Sequence, residues 1–163
     1  MGFFHGKHEK VLDKKGRVSI PSDFRAALGE DLDKGIYAFA SFGTSANSVQ
    51  VWPALRMQRL VRKMDEKFDR LSLTQRKIAR VVLSRSRRLI VEDTGRIQPT
   101  PELLGHAGIA EKIAFVGEGA TFAMWEPSAY EAYDRALQAE IEAIPESETE
   151  DLLFSIVSGG DDL

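Results

Sequence analysis

Asp13–Arg17 reads D-K-K-G-R and runs on into V-S-I-P; Glu92–Arg96 reads E-D-T-G-R and runs on into I-Q-P-T-P. The acid and the arginine of the second stretch each lie 79 residues after those of the first (13 to 92, 17 to 96). The register continues outward: Val18 matches Ile97, Phe24 matches Leu103 and Gly29 matches Gly108. Farther on, Val49-Gln50-Val51-Trp52 matches Phe122-Ala123-Met124-Trp125 with an offset of 73, a loop-length difference of six residues. Fixed-offset self-similarity signals a repeated supersecondary unit. Two copies are too few for a solenoid, so two half-units closing on each other is the economical architecture.

Length and composition frame this reading. A chain of 163 residues supports one compact domain or two small halves sharing a core. Its 43% hydrophobic and 29% charged content is that of a globular protein. The sequence has no apolar run of membrane-spanning length, and Met1–Lys7 lacks the features of a secretory signal, which together predict a cytoplasmic protein with no membrane partner. The absence of cysteine excludes disulfides, thiol catalysis and thiolate metal sites. The formal charge of −3 hides an asymmetry: residues 1–89 carry 19 Lys/Arg and 9 Asp/Glu, residues 90–163 carry 3 and 16. That split fits a polyanion-binding face with an acidic tail, or two solvated faces that pair between subunits.

Local patterns predict the elements. Residues 9–12 and 17–20 read as short strands about a glycine hairpin. Ser22 is placed as the N-cap of a short helix that Gly29 stops. Residues 35–40 and 48–52 read as strands separated by a turn at 43–48. The second copy repeats the order, with strands near 88–92, 96–98, 112–117 and 121–125 and a short helix from Pro101 to His106. Between the copies, Met57, Leu60, Val61, Met64, Phe68 and Leu71 form one stripe of an amphipathic helix over 53–71. A second helix is expected from Thr74 to Ser84 with Ile78, Val81 and Val82 inward. A third follows Pro127, with Tyr130, Tyr133, Leu137, Ile141 and Ile144 as its stripe. The expected division is 1–73, 74–144 and an acidic, mostly disordered tail at 145–163 in which Leu152–Val157 is a candidate docking segment.

The acid-x-x-x-Arg unit carries the chemistry. Asp13 can accept N–H bonds within its own turn, and Arg17 can pair with it. An arginine held in one orientation suits bidentate contact with phosphate or guanine. The plainer alternative is a surface ion pair of little energetic worth. A single D-x-x-x-R is weakly specific; two in matching context are not. His5, His8 and His106 supply no third ligand at metal-site spacing, and no nucleotide-binding or hydrolytic motif is present, so no metal, cofactor, small-molecule substrate or enzyme activity is expected. Trp52 and Trp125 end equivalent strands and are assigned to packing.

On these residues the chain resembles the MraZ family, bacterial transcriptional regulators of the division and cell wall gene cluster within the AbrB/MazE-like DNA-binding folds. The resemblance spans about residues 3–140. It rests on Phe4-His5-Gly6, Leu12–Arg17, Ile20-Pro21 and Phe24-Arg25 in the first copy. In the second it rests on Gly95–Ile97, His106–Gly108, Val116-Gly117 and Trp125. It implies an α+β, mainly β fold in which two tandem AbrB-like halves form one swapped-hairpin, double-psi-like β-barrel with flanking helices. It also implies a homo-oligomeric ring bound to tandem double-stranded promoter repeats of its own operon, hence a nucleoid-associated repressor.

Residue by residue, Lys14, Lys15, Arg17 and Arg96 are the expected DNA contacts, Lys7 and Arg25 add phosphate contacts, and Asp13 and Glu92 orient the arginines. The copies are not equivalent. Glu92 replaces the family's aspartate, Ile20-Pro21 has no counterpart, and Leu104 stands at the position of Arg25. Arg85, Arg87 and Arg88 add positive charge before the second copy. The first copy is therefore expected to dominate DNA contact. A protein–protein module, such as an antitoxin-like barrel whose acidic tail wraps a partner, is the rival reading.

Overall fold

The computed structural model describes residues 2–43 and 47–159. Residues 44–46 of the expected 43–48 turn, and Asp161 and Asp162 of the tail, lie outside them. The described chain divides into two compact units, Met1–Pro127 and Ser128–Leu163. The boundary does not fall between the sequence copies, because the copies interlock.

In the first unit the elements are β1 (Lys7–Val11), β2 (Val18–Ser19), α1 (Ser22–Leu28), β3 (Ile36–Ala40) and β4 (Val49–Pro53), then α2 (Ala54–Glu66) and α3 (Leu73–Arg85). The second copy supplies β5 (Arg87–Leu89), β6 (Arg96–Ile97), α4 (Pro101–Ala107), β7 (Lys112–Gly117) and β8 (Phe122–Trp125). The fold is α+β with antiparallel pairing throughout the recorded ladders.

Six strands form one sheet in the order β1-β7-β8-β4-β3-β5, and β2 and β6 form a separate ribbon. A closed barrel is not among these pairings. The strands that flank each glycine turn do not pair with each other as the hairpin expectation required. β1 crosses to β7 of the second copy, β5 crosses to β3 of the first, and β2 pairs with β6. The two-residue β2 and β6 are too short to bury a face alone, and each gains its ladder from its counterpart.

Register preserves the duplication. Lys10 opposes Ile113 as Leu89 opposes Ile36. Where the copies meet, Val49 opposes Met124 and Val51 opposes Phe122, with Gln50–Ala123 central. In the ribbon, Val18 opposes its own counterpart Ile97. The chain thus has an internal pseudo-two-fold through the β4–β8 and β2–β6 contacts.

The core draws on both copies. Val18, Ile20, Phe24, Ile36, Val49 and Val51 from the first pack with Ile97, Leu103, Ile113, Phe115, Phe122 and Met124 from the second. Phe24 and Phe122 lie 5.0 Å apart at their ring centroids, and Phe4 lies 5.0 Å from Phe122. Burying each such aromatic side chain is worth about 1.5–3 kcal/mol. Separating the copies would expose this shared core.

Helix ends show where local chemistry prevailed. Ser22 is the first residue of α1 and not its cap; Pro21 precedes it, with no side-chain cap bond. Thr100 caps α4 by accepting the Leu103 N–H, and Ser72 and Gln75 form a reciprocal capping box at α3. Beneath α2 and α3, Phe39, Met57 and Val82 make a second, smaller cluster. Val82 is buried as expected and Val81 half-buried, but Ile78, also expected inward, is 52% exposed, and Ala79 beside it is buried instead.

The second unit holds α5 (Pro127–Glu142) and α6 (Glu146–Ser158). Pro145 stands at the N-cap of α6. The segment that the sequence assigns mostly to a disordered tail is thus helical over 146–158. Its Leu152, Leu153, Phe154, Ile156 and Val157 are exposed. No described helix is long and apolar enough to cross a membrane.

Candidate functional site

Both glycine turns close in the same way. The Asp13 N–H donates to the Arg17 carbonyl at 2.8 Å and the Gly16 N–H to the Asp13 carbonyl at 3.0 Å. The corresponding bonds of the second turn are Glu92 to Arg96 at 2.9 Å and Gly95 to Glu92 at 2.8 Å. Gly16 and Gly95 have φ of 81° and 83°. That left-handed backbone costs an L-residue about 1–2 kcal/mol, so the glycine belongs to the motif for a conformational reason.

The acids behave differently on these matched turns. Asp13 Oδ1 accepts the N–H groups of Lys15 and Arg17, both at 2.9 Å, and Oδ2 accepts Arg17 Nε–H at 2.8 Å. The Arg17 backbone N–H, foremost, holds the Asp13 carboxyl below its ordinary value of 3.8; partial desolvation opposes it, and the Arg17 guanidinium and Lys15 N–H add to the lowering. The carboxylate is therefore charged at neutral pH and fixes Arg17 through Nε.

Glu92, one methylene longer, makes no bond to the backbone amides of its own turn among the described residues. It accepts the Thr94 hydroxyl at 3.4 Å and lies 3.4 Å from Arg96 Nε. Arg96 Nε–H donates to Thr94 Oγ1 at 3.1 Å, and Arg96 Nη1 reaches Asp13 Oδ2 at 3.7 Å. Asp13 thus contacts both arginines. That tie between the copies is invisible in the sequence, because it depends on β2 pairing with β6. Two further bonds reinforce it: Gln98 Nε2 donates to the Lys15 carbonyl at 3.1 Å, and the Ile20 N–H donates to the Gly95 carbonyl at 2.9 Å.

The result is one surface built from two tips. Lys14 and Lys15 are exposed, and Arg17 and Arg96 are half-buried beside them. The first tip carries Lys14, Lys15 and Arg17 against Asp13; the second carries Arg96 against Glu92 and Asp93. Positive charge is concentrated on the first tip, where the arginine is also more tightly held.

The remaining expected contacts lie elsewhere. Lys7 is on β1, 4.0 Å from Glu9. Arg25 is on α1 with its side chain laid over Gly95: a Cβ there would come within 2.7 Å of Arg25 Cδ and 2.9 Å of Cζ. Its buried Nε has no hydrogen-bond partner among the described residues. In this position Arg25 packs the first copy against the second turn. Arg88 lies along the surface, donating twice to the Lys34 carbonyl at 3.2 and 2.9 Å, and Arg87 lies 3.5 Å from Glu102. Thr94 and Gln98 are the residues the sequence reading missed. Thr94 sits inside the second motif and carries a hydroxyl where the first copy has Lys15, which was the available signal.

Comparison with known proteins places the chain among its relatives. A family profile described as "MraZ protein, putative antitoxin-like" matches residues 3–81. The chain is similar to a protein named transcriptional regulator MraZ from Rickettsia rickettsii, with 34% identity over 138 residues covering 85% of this chain and 91% of that protein. It is also similar to the protein of the same name from Pelagibacter ubique, with 35% identity over 133 residues covering 80% and 82%.

Proposed function

Because the chain belongs to the MraZ family, we propose that it is a sequence-specific DNA-binding transcriptional regulator. Its reading surface is the pair of glycine-turn tips. The observation that carries this reading is the arrangement of Arg17 and Arg96 on two interlocked turns with Asp13 between them. An arginine already fixed through Nε loses little side-chain freedom on binding and offers its terminal nitrogens to a base edge or phosphate. Lys14 and Lys15 extend outward as point charges for the DNA backbone. The internal pseudo-two-fold presents two related tips to the duplex, the first contributing more.

One such surface makes few base contacts, and a single copy binds weakly. An oligomeric ring of chains on tandem promoter repeats gains by effective concentration. Within this reading the protein acts in the nucleoid as a repressor of its own division and cell wall operon. The six-strand sheet and ribbon, with strands exchanged between copies, are read as the swapped-hairpin barrel of AbrB-like folds.

The test is a gel shift on the duplex immediately upstream of the protein's own gene, with an unrelated duplex as competitor. The expected result is retention that survives competitor and weakens steeply as salt rises. Equal binding to both duplexes, or none, overturns sequence-specific regulation. The second reading, an antitoxin-like interaction module, is favoured by the acidic, apolar-ended α6. A partner protein held without any duplex binding decides for it.

A further inference from the structure

The α2–α3 pair leaves an apolar cleft open. Phe39, Trp52, Leu60, Met64, Ile78 and Val82 line a space of about 480 Å³ between the sheet and the two helices. The amphipathic stripe read from the sequence is therefore only partly covered: Met57 is buried, but Val61 and Phe68 remain exposed along with Ile78. The surroundings are cationic. Residues 54–85 carry ten Lys/Arg and three Asp/Glu, and Lys63 stands at the cleft itself.

Helix α6 has the opposite character in the same format. Its first half presents Glu146, Glu148, Glu150 and Asp151; its second half presents Leu152, Leu153, Phe154, Ile156 and Val157, exposed by 52–78%. It carries no Lys or Arg. Both α2 and α3 are 13 residues long, as is α6, each about 20 Å at 1.5 Å per residue. A run of large exposed apolar side chains marks an interaction surface, and two such surfaces of opposite charge on one chain select each other.

We propose that α6 of one copy docks into the α2–α3 cleft of a second copy, its apolar end filling the cleft and its acidic end meeting the surrounding lysines and arginines. The two patches are different surfaces of the chain, so the contact is heterologous. Each copy then gives one helix and receives one, either reciprocally within a two-fold dimer or head to tail through a larger assembly. The contact goes beyond the DNA-binding reading and is tested on DNA-free protein, so the failure of either leaves the other standing.

The chain has no cysteine, so introduced thiols are the only ones present. Full-length protein carrying Ile78→Cys is mixed with a differently tagged full-length copy carrying Ile156→Cys and oxidised. Both sites are exposed, so neither change disturbs packing. A disulfide joining the two tags is expected in several-fold greater yield than from a control pairing of Ile156→Cys with the exposed Ile90→Cys. In parallel, Leu153→Glu in the full chain is expected to lower the sedimenting mass while the circular dichroism spectrum is unchanged. Equal cross-linking at positions 78 and 90, a Leu153→Glu variant of wild-type mass, or a wild-type chain that sediments as a monomer overturns the proposal. So does a chain carrying both cysteines that closes on itself without joining its neighbour.

Discussion

Replacing Arg17 by alanine should weaken binding to the upstream duplex more than replacing Arg96. Each substitution removes a charged hydrogen-bonding contact worth about 1–3 kcal/mol against DNA, or about 5- to 150-fold in affinity per site. The difference comes from how the free protein holds each side chain. Arg17 is fixed by one 2.8 Å charged bond to an aspartate that is itself anchored by two backbone amides. Arg96 is spread over Thr94 at 3.1 Å, Glu92 at 3.4 Å and Asp13 at 3.7 Å. Ordering a loosely held side chain on binding costs about 0.5–1.5 kcal/mol, so the Arg96 contribution is smaller by that amount. The Arg17→Ala loss should therefore exceed the Arg96→Ala loss by about 2- to 12-fold. Arg17→Lys should recover only part of the affinity, since a lysine keeps the charge but not the planar fork. Fluorescence anisotropy on a labelled duplex reads the affinities, and thermal melting followed by circular dichroism establishes that the variants are folded. Equal losses, or a larger loss at Arg96, would refute the reasoning from preorganisation.

Other perturbations test the scaffold. Gly117→Ala places a methyl group in overlap with the backbone of Phe4 and His5; since backbone cannot yield as a side-chain tip does, the N-terminal segment should lift and the Phe4 ring leave the core, costing up to about 3–5 kcal/mol by chemical denaturation. Ser72→Ala breaks the capping box of α3 and should cost about 1 kcal/mol by the same assay, with no change in the mobility of the DNA complex. Gly16→Ala meets only backbone strain of about 1–2 kcal/mol, whereas Gly95→Ala adds a collision with Arg25 and should destabilise more in denaturant melts. Asp13 has a lowered folded-state value, so its contribution is present above the ordinary carboxylate range and is lost as pH falls through the lowered value. Its carboxyl resonance should titrate below that of a free aspartate, and Asp13→Asn should remove this component of the acid dependence of stability.

The sequence shows most of the local structure and little of the pairing. Turns at Asp13–Arg17 and Glu92–Arg96 are readable because only glycine takes the positive φ at Gly16 and Gly95 without strain. The strand at 112–117 is readable from its apolar run and its place in the repeat, and the helix from Pro101 from the proline at its first turn. Partner choice is different: nothing local in Lys7–Val11 says that it pairs with Lys112–Gly117 rather than across its own turn. The Asp13–Arg96 tie and the packing of Arg25 on Gly95 depend on that exchange and are equally hidden. Ile78 shows the limit of periodicity, which marks an apolar face without saying what covers it. The helix over 146–158 was masked by its acidic first half, although Leu152–Val157 stood out as a docking segment.

The most direct test of the account is to titrate the duplex upstream of the gene with wild-type protein and with the Arg17→Ala/Arg96→Ala double variant under identical salt, having verified that both fold and sediment alike. The account predicts tight, competitor-resistant binding by the wild type and loss of that binding, down to the level of an unrelated duplex, for the double variant. Unchanged affinity in the double variant would contradict it, because the paired turn tips would then not be the surface that reads DNA.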